Sequence, residues 1–204
     1  MLKKSISLLL SFIILLSLIS FNAIILLNST FIFKLYMLKT NIPSTLSIPL
    51  NKILFDYNNM ISYLRNPFIK NLSFNYFTLS NFGRTHFLEV KQIFLFIYFF
   101  LTLSIILLSF LFIKKRALLK SSLNYLFFIT ICFFITLLCS FIINFNSIFT
   151  LFHKLFFNNN YWIFNPVTDS IINILPENFF LLNALIILIL LLIENFFIKF
   201  YFKN

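Results

Sequence analysis

Two histidines are the only imidazoles in this 204-residue chain, and each stands at the edge of an apolar stretch long enough to cross a bilayer. His86 precedes one such stretch and His153 follows the next. If the two stretches form a membrane hairpin, both rings arrive at one membrane face. An imidazole titrates near ~6.5, so a pair of them in one place can take up and return protons at neutral pH, which makes this a candidate catalytic site.

Each ring lies in a polar cluster. The first runs Asn81-Phe82-Gly83-Arg84-Thr85-His86-Phe87-Leu88-Glu89-Val90-Lys91. With a helix starting near Thr85, His86 and Glu89 are three apart on one face, so the carboxylate can orient or charge-stabilise the ring, and Glu89 in a first turn suits the helix dipole. The plainer reading is an interfacial lead-in whose His86 and Glu89 face headgroups. The second cluster begins Phe152-His153-Lys154 and runs through Phe157, Tyr161-Trp162, Pro166 and Asp169 to Leu175-Pro176-Glu177. Taken singly, Tyr161 and Trp162 pass as an aromatic belt and Asp169 as the N-cap of a short helix through Ile174. The 33 phenylalanines, with abundant Ile, Asn, Lys and Tyr, follow AT-rich codons, so the rare residues stand out. The only glycine and one of three arginines form Gly83-Arg84, and the only tryptophan is Trp162.

The elements that must position these clusters are membrane helices. At 61% hydrophobic and 10% charged, with mean hydropathy +1.00, the chain has too little polar surface to coat a soluble globule. Spans of roughly 20 apolar residues are expected at about 6–28, 92–113, 122–145 and 179–198. All five prolines and Gly83 fall in the two segments between them, about 29–91 and 146–178. The fold expected is an all-α membrane protein, a single integral domain over residues 1–204 with four transmembrane helices and an extracytoplasmic cap formed by those two loops. Lys3 and Lys4 ahead of the first apolar run read as an uncleaved signal anchor. Cys132 and Cys139, seven apart in the third span, are ~10 Å apart along a helix, too far for a disulfide, and read as packing residues.

Together the clusters resemble a bacterial family of four-helix integral membrane proteins that includes the lipoprotein intramolecular transacylase. The likeness is carried by a histidine followed by an acidic residue, Val90 and Lys91, and by Phe152-His153-x-x-Phe156-Phe157 ahead of Trp162, Pro166, Asp169 and Leu175-Pro176-Glu177. Where that family carries aspartate three residues after the first histidine, this chain has Glu89, a longer arm with the same charge. The resemblance implies a reaction: the sn-2 acyl chain of a lipoprotein's diacylglyceryl-cysteine moves to the α-amine of the same cysteine, giving a lyso-form lipoprotein. It implies His86 and His153 as catalytic residues and Glu89, Phe157, Trp162 and Asp169 as positioning residues, with no metal and no cofactor. One imidazole can take the amine proton while the other serves the oxyanion or the departing glyceryl oxygen; which does which is open. The implied partners are a diacylated lipoprotein and membrane lipid.

Other classes fit less well. A single glycine cannot make a phosphate-cradling loop, and no serine or cysteine nucleophile has a neighbouring base. The net charge of +11 is dispersed among apolar helices, as membrane anchors are, so nucleic acid is not expected. A non-enzymatic subunit of a membrane assembly is the alternative, and a bis-histidine haem or metal site lacks further ligands.

Orientation follows from the short loops. Lysines and arginines number eight on each side of the membrane, but four fall within Lys114–Lys120 against only Lys154 in residues 146–180. Short-loop density governs, so both termini are expected in the cytoplasm and both histidine-bearing loops outside, at a bacterial cell membrane. A reporter fused after Asn204 should therefore be active only as a cytoplasmic marker; activity only outside the cell reverses the topology.

Overall fold

The computed structural model describes residues 2–203, and among them every regular element is helical. In chain order these are α1 (Leu2–Asn28), α2 (Thr30–Lys39), α3 (Ile42–Leu46), α4 (Leu50–Arg65), α5 (Asn81–Lys114), α6 (Arg116–Phe156), a 3-10 turn (Ser170–Ile174) and α7 (Glu177–Lys203). Four of them, α1, α5, α6 and α7, are long and apolar enough to cross a membrane. The protein is an all-α membrane protein with four candidate spans, in accord with the apolar runs of the sequence. Cys132 and Cys139 are free and exposed.

α5 has 34 residues and α6 has 41. At 1.5 Å per residue these lengths are about 51 and 62 Å, well beyond the ~30 Å of a hydrocarbon core. The surplus turns hold the charged and imidazole residues: Arg84, His86, Glu89 and Lys91 in α5, and His153 and Lys154 in α6. Within α6, Asn144 adopts extended backbone (φ −166°, ψ 94°), so the helix is interrupted there before it continues to His153.

The chain divides into two compact units. One comprises the residues up to Ile24, Ile97–Asn144 and those from Asn183 onward. Its core is built on Leu10, Ile14, Leu15, Leu111, Leu119, Leu126 and Leu191. Small polar side chains join its helices, as is usual where lipid removes the hydrophobic drive for association. Ser11 Oγ donates to the Ser122 carbonyl at 2.7 Å, Ser7 Oγ to Ser121 Oγ at 3.1 Å, and Asn22 Nδ2 to Glu194 Oε2 at 2.9 Å.

The other unit comprises Ile25–Phe96 and Phe145–Leu182. Its α4 is amphipathic: Ile53, Tyr57, Met60, Ile61 and Leu64 recur at helical spacing and are buried, while Asn51, Lys52 and Asn58 are exposed. They pack with Phe33, Met37, Phe87, Ile171, Ile174 and Phe179 in one core, where Phe33 and Tyr57 stack at 3.6 Å between ring centroids.

Residues 66–80 lead from α4 to α5 without regular structure, so their backbone groups must find partners elsewhere. Side chains supply them. The fully buried Asp56 carboxylate accepts the amides of Asn75, Tyr76 and Phe77. Ser170 Oγ accepts the Thr78 amide, and the Asp169 carboxylate accepts that of Ser80. In the opposite sense, Arg84 Nη1 donates to the Leu72 carbonyl and Lys91 Nζ to that of Ile69, with the ammonium also over the Tyr63 ring at 4.3 Å. The segment is thus tied by charged groups rather than by a ladder. Replacing Asp56 with alanine leaves three amides unmet, and the expected loss is roughly 3 kcal/mol, against about 1 kcal/mol for a typical neutral hydrogen bond. Thermal unfolding in detergent checks this, with Asp56→Asn expected to fall between the two.

Candidate functional site

α5 begins at Asn81, one turn earlier than the sequence suggests, because two side chains satisfy its first amides. Ser80 Oγ accepts the Gly83 N–H at 3.0 Å, the usual N-cap bond, and the Ser80 N–H itself donates to Asp169 Oδ1 at 2.7 Å. Asp169 does occupy the N-cap position of the 3-10 turn Ser170–Ile174, but its side chain makes no capping bond there and reaches the start of α5 instead. Burial pushes its carboxyl upward, yet the hydrogen bonds from Ser80 and Thr168 prevail and hold it below the usual carboxylate range. The only glycine belongs to this contact. A Cβ on Gly83 would stand 2.5 Å from Asp169 Oδ1 and 2.5 Å from Leu79 Cδ1. Gly83 is therefore a close-approach glycine.

The turn after this anchored one carries His86, and the last turn of α6 carries His153; their ring centroids lie 6.0 Å apart. Phe157 touches both, at 4.6 Å from His86 and 5.6 Å from His153, and its amide donates to the His153 carbonyl. Phe164 meets His86 edge-on at 5.5 Å. Trp162 stacks on His153 at 4.6 Å with 28° between planes, and Phe149 packs on the same ring at 4.3 Å. Both imidazoles are buried in this aromatic enclosure.

Both rings lie outside the charge-free stretches 92–113 and 121–152. Burial disfavours the charged imidazolium and, together with the nearby His153, pushes His86 down to about 4. Burial lowers His153 also, opposed in part by its bond to Phe149. Both shifts favour the neutral ring at pH 7. His153 Nδ1 lies 2.7 Å from the Phe149 carbonyl, which can only accept, so the ring proton sits on Nδ1 and Nε2 keeps its lone pair.

Glu89 does not bond to His86. Its Oε2 lies 4.0 Å from His86 Nδ1, and neither atom has a hydrogen-bond partner, although both are shielded from solvent. Oε1 instead accepts from Asn159 Nδ2 at 2.7 Å, and Asn159 Oδ1 accepts the Tyr161 amide, fixing the amide's orientation. Tyr161 in turn stacks on Phe82 at 4.7 Å, so the loop bearing Trp162 is fastened to the first turns of α5.

All six residues singled out in the sequence, His86, His153, Glu89, Phe157, Trp162 and Asp169, thus fall in one unit. The rings and Phe157 touch directly, Trp162 lies on His153, and Asp169 acts through the start of α5 rather than on a ring. Sequence reasoning missed Asn159, Phe149, Phe164 and Ser80. The run Asn158 to Asn160 is plain in the sequence, but not which asparagine reaches Glu89. Among the described residues no three His, Cys, Asp or Glu side chains converge as metal ligands do.

Gly83→Ala should therefore disturb the site without touching either imidazole. The added methyl must displace the Asp169 carboxylate or Leu79, an overpacking cost of about 1–3 kcal/mol. The expected outcome is a lower unfolding temperature together with reduced activity, whereas Ala at the exposed, neighbouring Phe82 should affect stability less; the two variants compared by thermal unfolding check it.

Comparison with known proteins accords with this geometry. The family model for the lipoprotein intramolecular transacylase Lit matches residues 8–180. The in meso structure of the membrane-integral lipoprotein intramolecular transacylase Lit from Bacillus cereus is similar at TM-score 0.88 and 30% identity, covering 99% of this chain and 94% of that one. Two further structures of the Bacillus cereus protein, with a histidine changed to arginine or to alanine, are similar at TM-score 0.83 and 29% identity, covering 99% of this chain and 91% and 92% of theirs. No curated protein sequence matches. A four-span helical chain, matched over most of its length by one family model and throughout by that family's solved fold, belongs to the lipoprotein intramolecular transacylase family of membrane-integral acyltransferases.

Proposed function

We propose that this protein moves the sn-2 acyl chain of a lipoprotein's diacylglyceryl-cysteine onto the α-amine of that cysteine, with His86 and His153 as the catalytic residues, at the extracytoplasmic face of the membrane. The observation that carries the reading is the pair of neutral, buried imidazoles 6.0 Å apart, one with a fixed tautomer. That a histidine is the position changed in two structures of the Bacillus cereus relative supports the choice of residue type.

The steps follow from the tautomer. The free amine attacks the ester carbonyl carbon, forming the C–N bond, and the carbonyl electron pair moves to oxygen. His153 Nε2 takes the proton that the nitrogen must lose, as only a lone pair can. His86, neutral and desolvated, offers its single N–H toward the developing negative charge. The intermediate collapses, the bond from acyl carbon to glyceryl oxygen breaks, and the imidazolium of His153 returns its proton to that oxygen. A substrate arriving as ammonium leaves one further proton to water. No acyl-enzyme forms, and because nucleophile and ester share a molecule, most of the acceleration is positional. Phe157, Phe164, Trp162 and Phe149 enclose the pair, and Glu89, held by Asn159, fixes the charge beside His86.

His86→Ala and His153→Ala should each lower conversion by ~10² to 10⁴, and the double variant should be little worse than either. The check is the N-terminal lipopeptide mass spectrum: total mass is unchanged, but the cysteine amine becomes acylated and the glyceryl 2-hydroxyl free. Amide formation by both single variants sinks the assignment.

The pH dependence is the second test. Because both imidazoles titrate below their ordinary 6.5, the histidine limb should have its midpoint below 6.5, with activity gained as the pH rises through it. A second rise with its midpoint above pH ~7 should follow the substrate amine, near ~7.7 to 8.0. Rates measured with lipopeptides of differing amine pKa distinguish the two: a midpoint that stays near 6.5 with every substrate overturns the lowered imidazoles.

A further inference from the structure

The acid–base pair leaves one buried donor of the site unused. Three polar atoms there are shielded from solvent and unpartnered: His86 Nδ1, Glu89 Oε2 and Trp162 Nε1. The first two face each other at 4.0 Å, so each has a polar atom opposite it. The indole has no such relief. Its N–H can only donate, and burying a donor with no acceptor is costly unless a ligand supplies one.

We propose that the Trp162 Nε1–H is an oxyanion-hole donor for the acyl carbonyl, an assignment that rests on the transacylase reading of the site. The indole lies flat on His153 at 4.6 Å, so its N–H stands beside the ring that takes the amine proton. His153 cannot fill this role in its neutral form, because its only N–H is spent on the Phe149 carbonyl. His86 has one N–H, whereas a tetrahedral oxyanion commonly takes two donors. The indole is also held in place beforehand: Tyr161 stacks on Phe82 and its amide donates to Asn159, while the Ile163 amide closes a turn onto the Asn160 carbonyl. A donor fixed before the substrate arrives needs no reorganisation as charge develops. As the amine attacks, the carbonyl electron pair localises on oxygen and is met by the indole hydrogen bond. When the intermediate collapses the pair returns to the carbonyl, the glyceryl C–O bond breaks, and the indole keeps its proton throughout.

The test uses the full chain in detergent and exploits its single tryptophan. The probe is a dipalmitoylglyceryl-cysteine peptide whose sn-2 ester is replaced by an amide, which retains the carbonyl. With tryptophan labelled by nitrogen-15, the one indole N–H resonance should move downfield as the probe saturates the protein and inhibits turnover of the ester lipopeptide. Trp162→Phe keeps an aromatic ring against His153 but removes the N–H. It should lose roughly 10² to 10³ in kcat, with little change in KM and the same pH profile. An indole resonance that stays fixed while the probe inhibits, or a Trp162→Phe variant within about threefold of the parent, overturns the assignment and leaves the transacylase reading standing. The resonance shift decides the matter even if the variant fails to fold. No turnover of the ester lipopeptide by the unaltered protein overturns the transacylase reading and this assignment with it.

Discussion

The hydrogen bond from the Ser80 amide to the Asp169 carboxylate fixes the start of the helix that carries His86. Ser80 caps α5, α5 carries His86 two turns later, and a carboxylate from a residue 89 positions away fixes where that helix begins. The bond is made inside the protein, so it is exchanged for water only when the unit opens, and its acceptor gains charge-assisted strength. Gly83 exists in this arrangement because the carboxylate comes closer to the helix than any side chain at that position allows. Asp56 performs the matching service for the preceding segment. Two acidic side chains, both buried, thereby convert fifteen irregular residues into a rigid approach to the helix.

An aromatic enclosure then decides what the imidazoles can do. In water a histidine near ~6.5 is an adequate base but a diffuse one, with no control over which nitrogen acts. Here desolvation keeps both rings uncharged, and the Phe149 carbonyl selects the nitrogen of His153 that remains basic. The cost of this arrangement is a weakened driving force for protonation. It is tolerable for a reaction whose nucleophile and electrophile are already joined, since proximity rather than base strength supplies most of the rate.

The sequence made the architecture legible because bilayer thickness leaves few options: four charge-free runs of sufficient length become four long helices. It made the rings and Trp162 legible because each is rare in a composition dominated by Phe, Ile and Leu. Even α4 was within reach, since Ile53, Tyr57, Met60 and Leu64 carry the helical period, although a hydropathy scan passes over so polar a stretch. Residues 66–80 were not within reach. Their shape is imposed by Asp56, Arg84, Lys91, Asp169 and Ser170, and none of those pairings leaves a periodic trace. The second partner of Glu89 was out of reach for a related reason: helical spacing puts Glu89 beside His86, with Oε2 4.0 Å from Nδ1, but the amide of Asn159 that bonds its Oε1 lies 70 positions away.

The core that holds α4 also contains Ile171, Ile174 and Phe179, more than a hundred residues downstream of Ile53. Its contact order is high, and chains of this kind gain little until the distant partners meet. During synthesis α5 is complete long before Asp169 leaves the ribosome, so the amide of Ser80 waits without its acceptor. The unit that bears the histidines is thus among the last parts of the chain to become native. A nascent chain that ends short of Asp169 therefore carries His86 and His153 without the bond that fixes the start of α5.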